Sequence, residues 1–311
     1  MTARRGRVLV LHFGLIAAFF AAQFLLTEYH HTNMARIMVL AAYAVGYNLL
    51  FGYTGLMSLG HAMFFAAGMY GAGLSIYYLG FGALSGFALG VLSALVLAAL
   101  FGLFALRTSG VSFLIVTMMF GQACYLVILY FNEITLGDQG FILSDRLPEA
   151  LVDPDVKYNV ALVVFAACFL VSLVVVRSPL GRVLVAIREN EERTRLLGYN
   201  TYACKLLALV VSGGMAGAAG AAYALLFSYV GASFAAILHS IYPLLWVLMG
   251  GAGTTVGPVL GTGLMFYLVD VTSGWTSAYL FVVGGALLVL VLFFPLGIMG
   301  TVRAKLAPWL P

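Results

Sequence analysis

Ten mostly apolar stretches recur along the chain, near residues 8–27, 34–51, 61–79, 82–106, 111–132, 157–177, 204–229, 239–252, 257–273 and 276–296. About 20 such residues, wound as a helix, cross the hydrocarbon core of a bilayer. The backbone polar groups of such a segment are satisfied within the helix itself. With 63% hydrophobic and only 8% charged residues, little chain remains for a soluble domain. The expectation is an all-α polytopic membrane protein, one transmembrane domain over 1–311, with about ten transmembrane helices, some of them broken. The N-terminus, "MTARRGRVLVLHFGLIAAFFAAQFLL", begins like a secretory signal. Its apolar run is too long and lacks an A-x-A cleavage site, so an uncleaved first span is expected.

The basic residues orient these spans. With a cytoplasmic N-terminus, twelve of the 15 Lys and Arg fall inside, among them Arg4, Arg5, Arg7, Arg107, Arg177 and Arg303, while Arg36, Arg146 and Lys157 fall outside. That bias agrees with the positive-inside rule and puts the C-terminus in the cytoplasm too. Tyr77, Tyr78, Tyr130, Tyr158 and Trp275 lie near the outer ends, where amphipathic rings favour headgroups. The longest outer loop, about 132–158, reads either as a solvated connector or as a docking surface for an external partner.

Gly82, Gly86, Gly90, Ala94, Ala98 and Gly102 recur every fourth residue, and "SGGMAGAAGAAY" forms a second small-residue patch. Smooth seams of this kind let helices approach closely in lipid, where water exclusion drives nothing. "FGYTGLMSLGH" and "GGAGTTVGP" differ, because each joins two apolar runs without one ionic residue. Broken backbone at membrane depth is tolerated where it is buried in protein or lines a cavity, and transporters place substrate contacts there. Tight turns at the inner interface are the competing reading. The candidate path residues are Tyr53, Thr54, Gly55, Ser58 and His61 in the first segment, and Gly250, Gly251, Gly253, Thr254, Gly257 and Pro258 in the second. Pro243 adds a kink expected ahead of the second break. His61 reads as a hydrogen-bonded packing group rather than a proton carrier.

No phosphate-cradling G-x-x-x-x-G-K-[ST], no G-x-S-x-G elbow, no H-E-x-x-H helix and no Cys/His cluster occurs, so the chain reads as a non-catalytic subunit that holds neither metal nor nucleotide. Cys124, Cys168 and Cys204 lie in or beside apolar runs and read as packing residues.

The stretch 178–200, "SPLGRVLVAIRENEERTRLLGYN", holds seven of the 26 charged residues. Leu180, Val183, Leu184 and Ile187 repeat at helical spacing, with Arg182 and Arg188 off that stripe. A short amphipathic helix at the membrane face follows, then a polar turn ending at Gly198. A loop that merely sets topology needs only basic residues, whereas Glu189, Glu191 and Glu192 are interleaved with Arg188 and Arg193.

That stretch with its continuation to "SGGMAGAAGAAYA", together with "GYTGLMSLGHAMFFAAGMYGAG", "GVSFLIVTMMFGQ", "GGAGTTVGPVLGT" and "FFPLGIMG", resembles the LivM-type permeases of branched-chain amino acid ABC importers in the LivH/LivM family. The resemblance implies a bacterial inner-membrane subunit paired with a second, LivH-type permease. It also implies two cytoplasmic ABC ATPase subunits that bind the ATP and Mg, a periplasmic substrate-binding protein, surrounding lipid and no nucleic acid. It makes 178–200 the ATPase-coupling segment, through Gly181, Arg182, Leu184, Ile187, Arg188, Glu189, Asn190, Glu191, Glu192, Arg193 and Gly198, with Leu184 and Ile187 as anchors in the partner. The family often carries an acidic residue where this chain has Tyr242, so importers of urea, amides or aromatic and other organic acids remain alternatives, as do a monosaccharide or nucleoside permease and an ATP-independent channel or facilitator.

Overall fold

A computed structural model of the chain describes residues 2–151, 153–275 and 278–306; the side chains of Arg4, Arg5 and Arg7, which bear on the expected orientation, lie outside the described residues, as do positions 276 and 277 at the start of the tenth expected span. Each apolar stretch coincides with a helix. These are α1 (Thr2–Ala22), α2 (Glu28–Asn48, continued by a π turn at Leu49–Tyr53), α3 (Ala62–Leu79), α4 (Ala83–Ala105) and α5 (Gly110–Tyr130). After the single turn α6 (Asn132–Thr135) come α7 (Pro154–Arg177), α8 (Pro179–Glu189), α9 (Glu191–Leu196) and α10 (Thr201–Phe227). The last group is α11 (Ile237–Gly250), α12 (Gly257–Trp275), α13 (Tyr279–Phe293) and α14 (Gly297–Lys305).

Among the described residues, six helices are long and apolar enough to cross a membrane: α2 with its π turn, α3, α4, α5, α7 and α10. The apolar parts of α1 (Val8–Ala22) and α11 are shorter. The chain is thus an all-α polytopic membrane protein, and Pro243 sits within α11, which continues through it.

Small residues decide the centre of the bundle. Gly86, Gly90, Ala94, Ala98 and Gly102 are buried on α4, and Gly82 alone of the seam is exposed, because it is the N-cap and not part of the helix. A Cβ on Gly217 would meet Ala94, one on Gly213 would meet Ala98, and one on Gly220 would run into the Phe65 carbonyl. The α3, α4 and α10 backbones therefore pack together through the two small-residue patches, gaining dispersion contacts that bulkier side chains would forbid. α2 packs against α7 and α10, and α11 with α12 closes on α2.

The ends of the bundle are distinguishable. α8 meets the π turn, the end of α7 and the start of α10, so Leu49–Tyr53 and Thr201 mark one end and the start of α2 and Phe227 mark the other. The long loop between α5 and α7 is folded at that second end: β1 (Phe141–Ile142) pairs antiparallel with β2 (Tyr229–Val230), and Arg146 donates to the Tyr77 carbonyl at 2.8 Å. One expectation needs correction here. Tyr158 is fully buried, with its hydroxyl donating to the Phe19 carbonyl, so it is a helix fastener and not a headgroup aromatic. Arg36 lies within α2, as the apolar stretch 34–51 implies, and α2 begins several residues before that stretch.

Candidate functional site

The charged segment folds as its caps dictate. Ser178 caps α8 by accepting from the Gly181 amide at 3.3 Å, with Pro179 in the first turn. Asn190 caps α9 by accepting from the Arg193 amide at 2.9 Å, with Glu191 and Glu192 in the first turn and Arg193 and Arg195 in the last, each sign favoured by the helix dipole. Gly198 follows at φ +88°, the left-handed conformation that glycine adopts without a Cβ penalty. Gly181 is buried where a Cβ would strike the Val175 and Val176 carbonyls, so α8 folds tightly back on the end of α7.

Leu184 and Ile187 are buried within this chain, against Leu49, Tyr53 and Ala208. They cannot anchor a soluble partner, because the amphipathic face of α8 is already satisfied by its own bundle. The segment's outward apolar residues are Leu196 and Leu197, 87% and 75% exposed, beside the exposed Arg182, Glu189, Asn190, Glu192, Arg193 and Tyr199. The helical spacing that singled out Leu184 and Ile187 could not tell a face bound to the bundle from a face bound elsewhere.

Glu191 tethers the segment. Its carboxylate accepts from the Lys205 ammonium at 2.6 Å and lies 3.8 Å from Arg195. Partial burial by itself would raise the Glu191 pKa, but the hydrogen bond and charge of Lys205, with Thr201 and Arg195, outweigh it and hold the carboxyl below its usual value.

The two broken segments meet each other at this same end. The Asn48 side chain bridges them: Oδ1 accepts from the Gly253 amide at 3.0 Å and Nδ2 donates to the Thr254 carbonyl at 2.9 Å. Arg188, one turn beyond Leu184 on the same side of α8, donates to the Gly52 carbonyl at 2.5 Å, and its stem covers Gly55, where φ is +78°. Arg303 of α14 donates to the Gly253 carbonyl at 3.0 Å. Two arginines and one asparagine thus fasten both glycine-rich breaks to each other and to α8. Gly253 has φ +71° and Gly251 φ +118°, so this backbone path is available only to glycine at low cost.

From there the first break runs inward. Thr54 Oγ1 donates to the Leu49 carbonyl at 2.9 Å, and the Tyr47 hydroxyl to the Ser58 carbonyl at 3.0 Å. Ser240 Oγ accepts from the Ala62 amide at 2.8 Å. Gly60 crosses the Thr117 carbonyl so closely that no side chain fits. His61 is fully buried at the start of α3, with Nε2 3.1 Å from Ser212 Oγ. Since the single Ser212 proton goes to the Gly46 carbonyl at 2.6 Å, His61 Nε2 carries the proton it shares with Ser212. The Tyr53 hydroxyl is buried with no partner among the described residues.

The second break is held from three sides. Thr254 Oγ1 donates to the Gly251 carbonyl at 2.7 Å, and Gly250 packs on the Gly257 carbonyl. Thr255 Oγ1 lies 2.8 Å from His12 Nε2 of α1. Pro258 is buried and opens α12, its carbonyl accepting from Thr262 Oγ1 at 2.7 Å.

Asn48 and Arg303 were not among the residues that the sequence singled out. Asn48 carried a signal, a lone amide inside an apolar run, of the kind that membrane spans retain for a partner. Arg303 carried none, since its acceptor lies 50 positions away.

Residues 31–292 match a family described as the permease component of the branched-chain amino acid transport system. Among relatives, the permease protein LivM of the high-affinity branched-chain amino acid transport system of Escherichia coli (strain K12) is 26% identical over 298 residues, covering 86% of this chain and 69% of that protein. BraD of the corresponding system of Pseudomonas aeruginosa is 25% identical over 281 residues, covering 84% and 91%. No solved structure matches the chain. With a match across most of its length and an all-α bundle to carry it, the chain belongs to the family of branched-chain amino acid transport system permease components.

Proposed function

We propose that this chain is one permease half of an ABC importer that moves branched-chain amino acids inward across a bacterial inner membrane, with α8 and α9 docking on a cytoplasmic ATPase subunit. In this reading a second, LivH-type permease completes the pathway, two ATPase subunits hold ATP and Mg, and a periplasmic binding protein delivers substrate. The end of the molecule bearing α8 then faces the cytoplasm, together with both termini.

The observation that carries the proposal is the Arg188 contact with Gly52, backed by Asn48 between the two breaks. A movement imposed on α8 is transmitted to the π turn of α2 through that hydrogen bond and through Leu184 packed on Leu49 and Tyr53. Asn48 and Arg303 carry it to the loop between α11 and α12. The exposed Leu196 and Leu197, ringed by Arg193, Arg195, Glu192 and Glu189, offer the apolar centre and polar rim of a protein interface.

The test is reconstitution in liposomes. The full assembly with binding protein and ATP is expected to accumulate leucine, while the purified chain alone conducts none. Passive leucine flux through the chain alone would overturn the proposal in favour of a facilitator.

A further inference from the structure

At the end of the bundle opposite α8, α2 carries two polar side chains that its packing does not explain. Arg36 lies eight residues beyond the start of α2, roughly 12 Å along a helix axis. Its guanidinium stacks on the Phe227 ring, 4.7 Å from the centroid, where α10 ends. Its Nε is buried without a hydrogen-bond partner, and among the described residues no carboxylate pairs with it. One helical turn earlier stands Asn33, only 8% exposed, whose Nδ2 is likewise buried and unpartnered. Residues three apart on a helix are neighbours on one face, so the two sets of donors stand together.

A buried donor without an acceptor is destabilising, and an ionic group within a span is kept for a partner. Both groups here donate and neither Nε nor Nδ2 accepts, so the partner is an acceptor, and the fixed positive charge selects an anion. The Arg36 guanidinium rests over Phe227, and the Tyr223 ring packs against Phe227 at a tilt, with centroids 4.6 Å apart. Immobilised this way, the Nε edge of the fork matches the two oxygens of a carboxylate. Long side chains on a helix lean toward its N-terminus, which brings the guanidinium toward the end of the bundle opposite α8. A merely snorkelling cation would need neither the buried Nε nor the Asn33 amide.

We infer that Arg36 and Asn33, with Phe227 beneath, form a site at the outer mouth that receives the carboxylate of the incoming substrate. This rests on the importer reading above and adds to it the residues that meet the substrate's carboxylate. Arg36 binds through its planar fork, so lysine keeps the charge and loses the site.

Two measurements test it on the reconstituted full assembly. In the first, ATP-driven leucine uptake is compared in wild type, Arg36→Lys and Asn33→Ala, after co-purification has confirmed assembly of each. At least a tenfold loss is expected in Arg36→Lys and a smaller loss in Asn33→Ala; uptake by Arg36→Lys at the wild-type rate would overturn the assignment. In the second, which needs no variant to assemble, carbon–nitrogen dipolar coupling is measured by solid-state NMR between [1-13C]leucine or [1-13C]acetate and 15N-arginine in the wild-type assembly. A coupling carried by the Arg36 guanidinium upholds the site even where uptake fails and the importer reading with it. Absence of that coupling for both probes overturns the site, including the case in which the Arg36 acceptor is a carboxylate of a partner subunit or a lipid phosphate.

Discussion

Removing the Arg188 guanidinium should uncouple ATP hydrolysis from transport. In Arg188→Ala the Gly52 carbonyl loses its donor, and the stem that covers Gly55 disappears. A hydrogen bond from a charged group contributes about 1.5–3 kcal/mol, and Arg188 is exposed on its outer side, so solvent competition favours the low end. About 1.5 kcal/mol is close to a tenfold change in an equilibrium constant. Leu184 and Ile187 still hold α8 to the bundle, so assembly should survive. The assay is leucine imported per ATP hydrolysed in proteoliposomes holding the full assembly. About a tenfold drop is expected for Arg188→Ala and a lesser one for Arg188→Lys, which keeps the charge but presents a single rotating ammonium. An unchanged ratio in an assembled Arg188→Ala complex would refute the idea that α8 drives the π turn through this contact.

Three further outcomes follow from the same geometry. Asn48→Ala leaves the Gly253 amide and the Thr254 carbonyl unpaired in a buried site, which should destabilise the protein by about 2–4 kcal/mol and lower its unfolding temperature in detergent, whereas Asn48→Gln should recover part of the loss. Gly55→Ala places a Cβ against Arg188 at φ +78°, a conformation that costs about 1–2 kcal/mol for other residues, so transport should fall even though the residue is exposed; wild-type uptake would speak against the close approach. Glu191 has a folded-state pKa held below its ordinary value of 4.5, so its tether to Lys205 contributes fully above that pH and is lost as the pH falls through the lowered value. Limited proteolysis of 190–200 should accelerate on acidification below that pH in wild type and not in Glu191→Gln, which lacks the titration.

Much of this arrangement was legible in the chain. The apolar stretches predict the helices closely, because bilayer-length helices carry their own hydrogen bonds and their composition alone sets their bounds. The α4 seam is visible as a fourfold spacing, since small residues on one face have no other use in lipid. What failed to show were contacts between segments distant in sequence. Gly52 and Gly253 read as two separate breaks, and only folding brings both to Asn48. Leu184 read as an anchor facing outward, because an amphipathic stripe does not say which neighbour covers it. Arg36 read as a cation at the outer end of its span, and nothing in the sequence says that Phe227, far along the chain, lies against it.

The claim that the coupling segment and the second break move as one unit is open to direct measurement. Spin labels on Leu196→Cys, on Ala252→Cys and on Tyr130→Cys, all three at exposed positions, report three distances by double electron–electron resonance in the full assembly. On ATP binding, the distances from Tyr130 to Leu196 and to Ala252 should both change while the Leu196 to Ala252 distance holds. A shift of Leu196 against Ala252, with Ala252 fixed relative to Tyr130, would contradict the account.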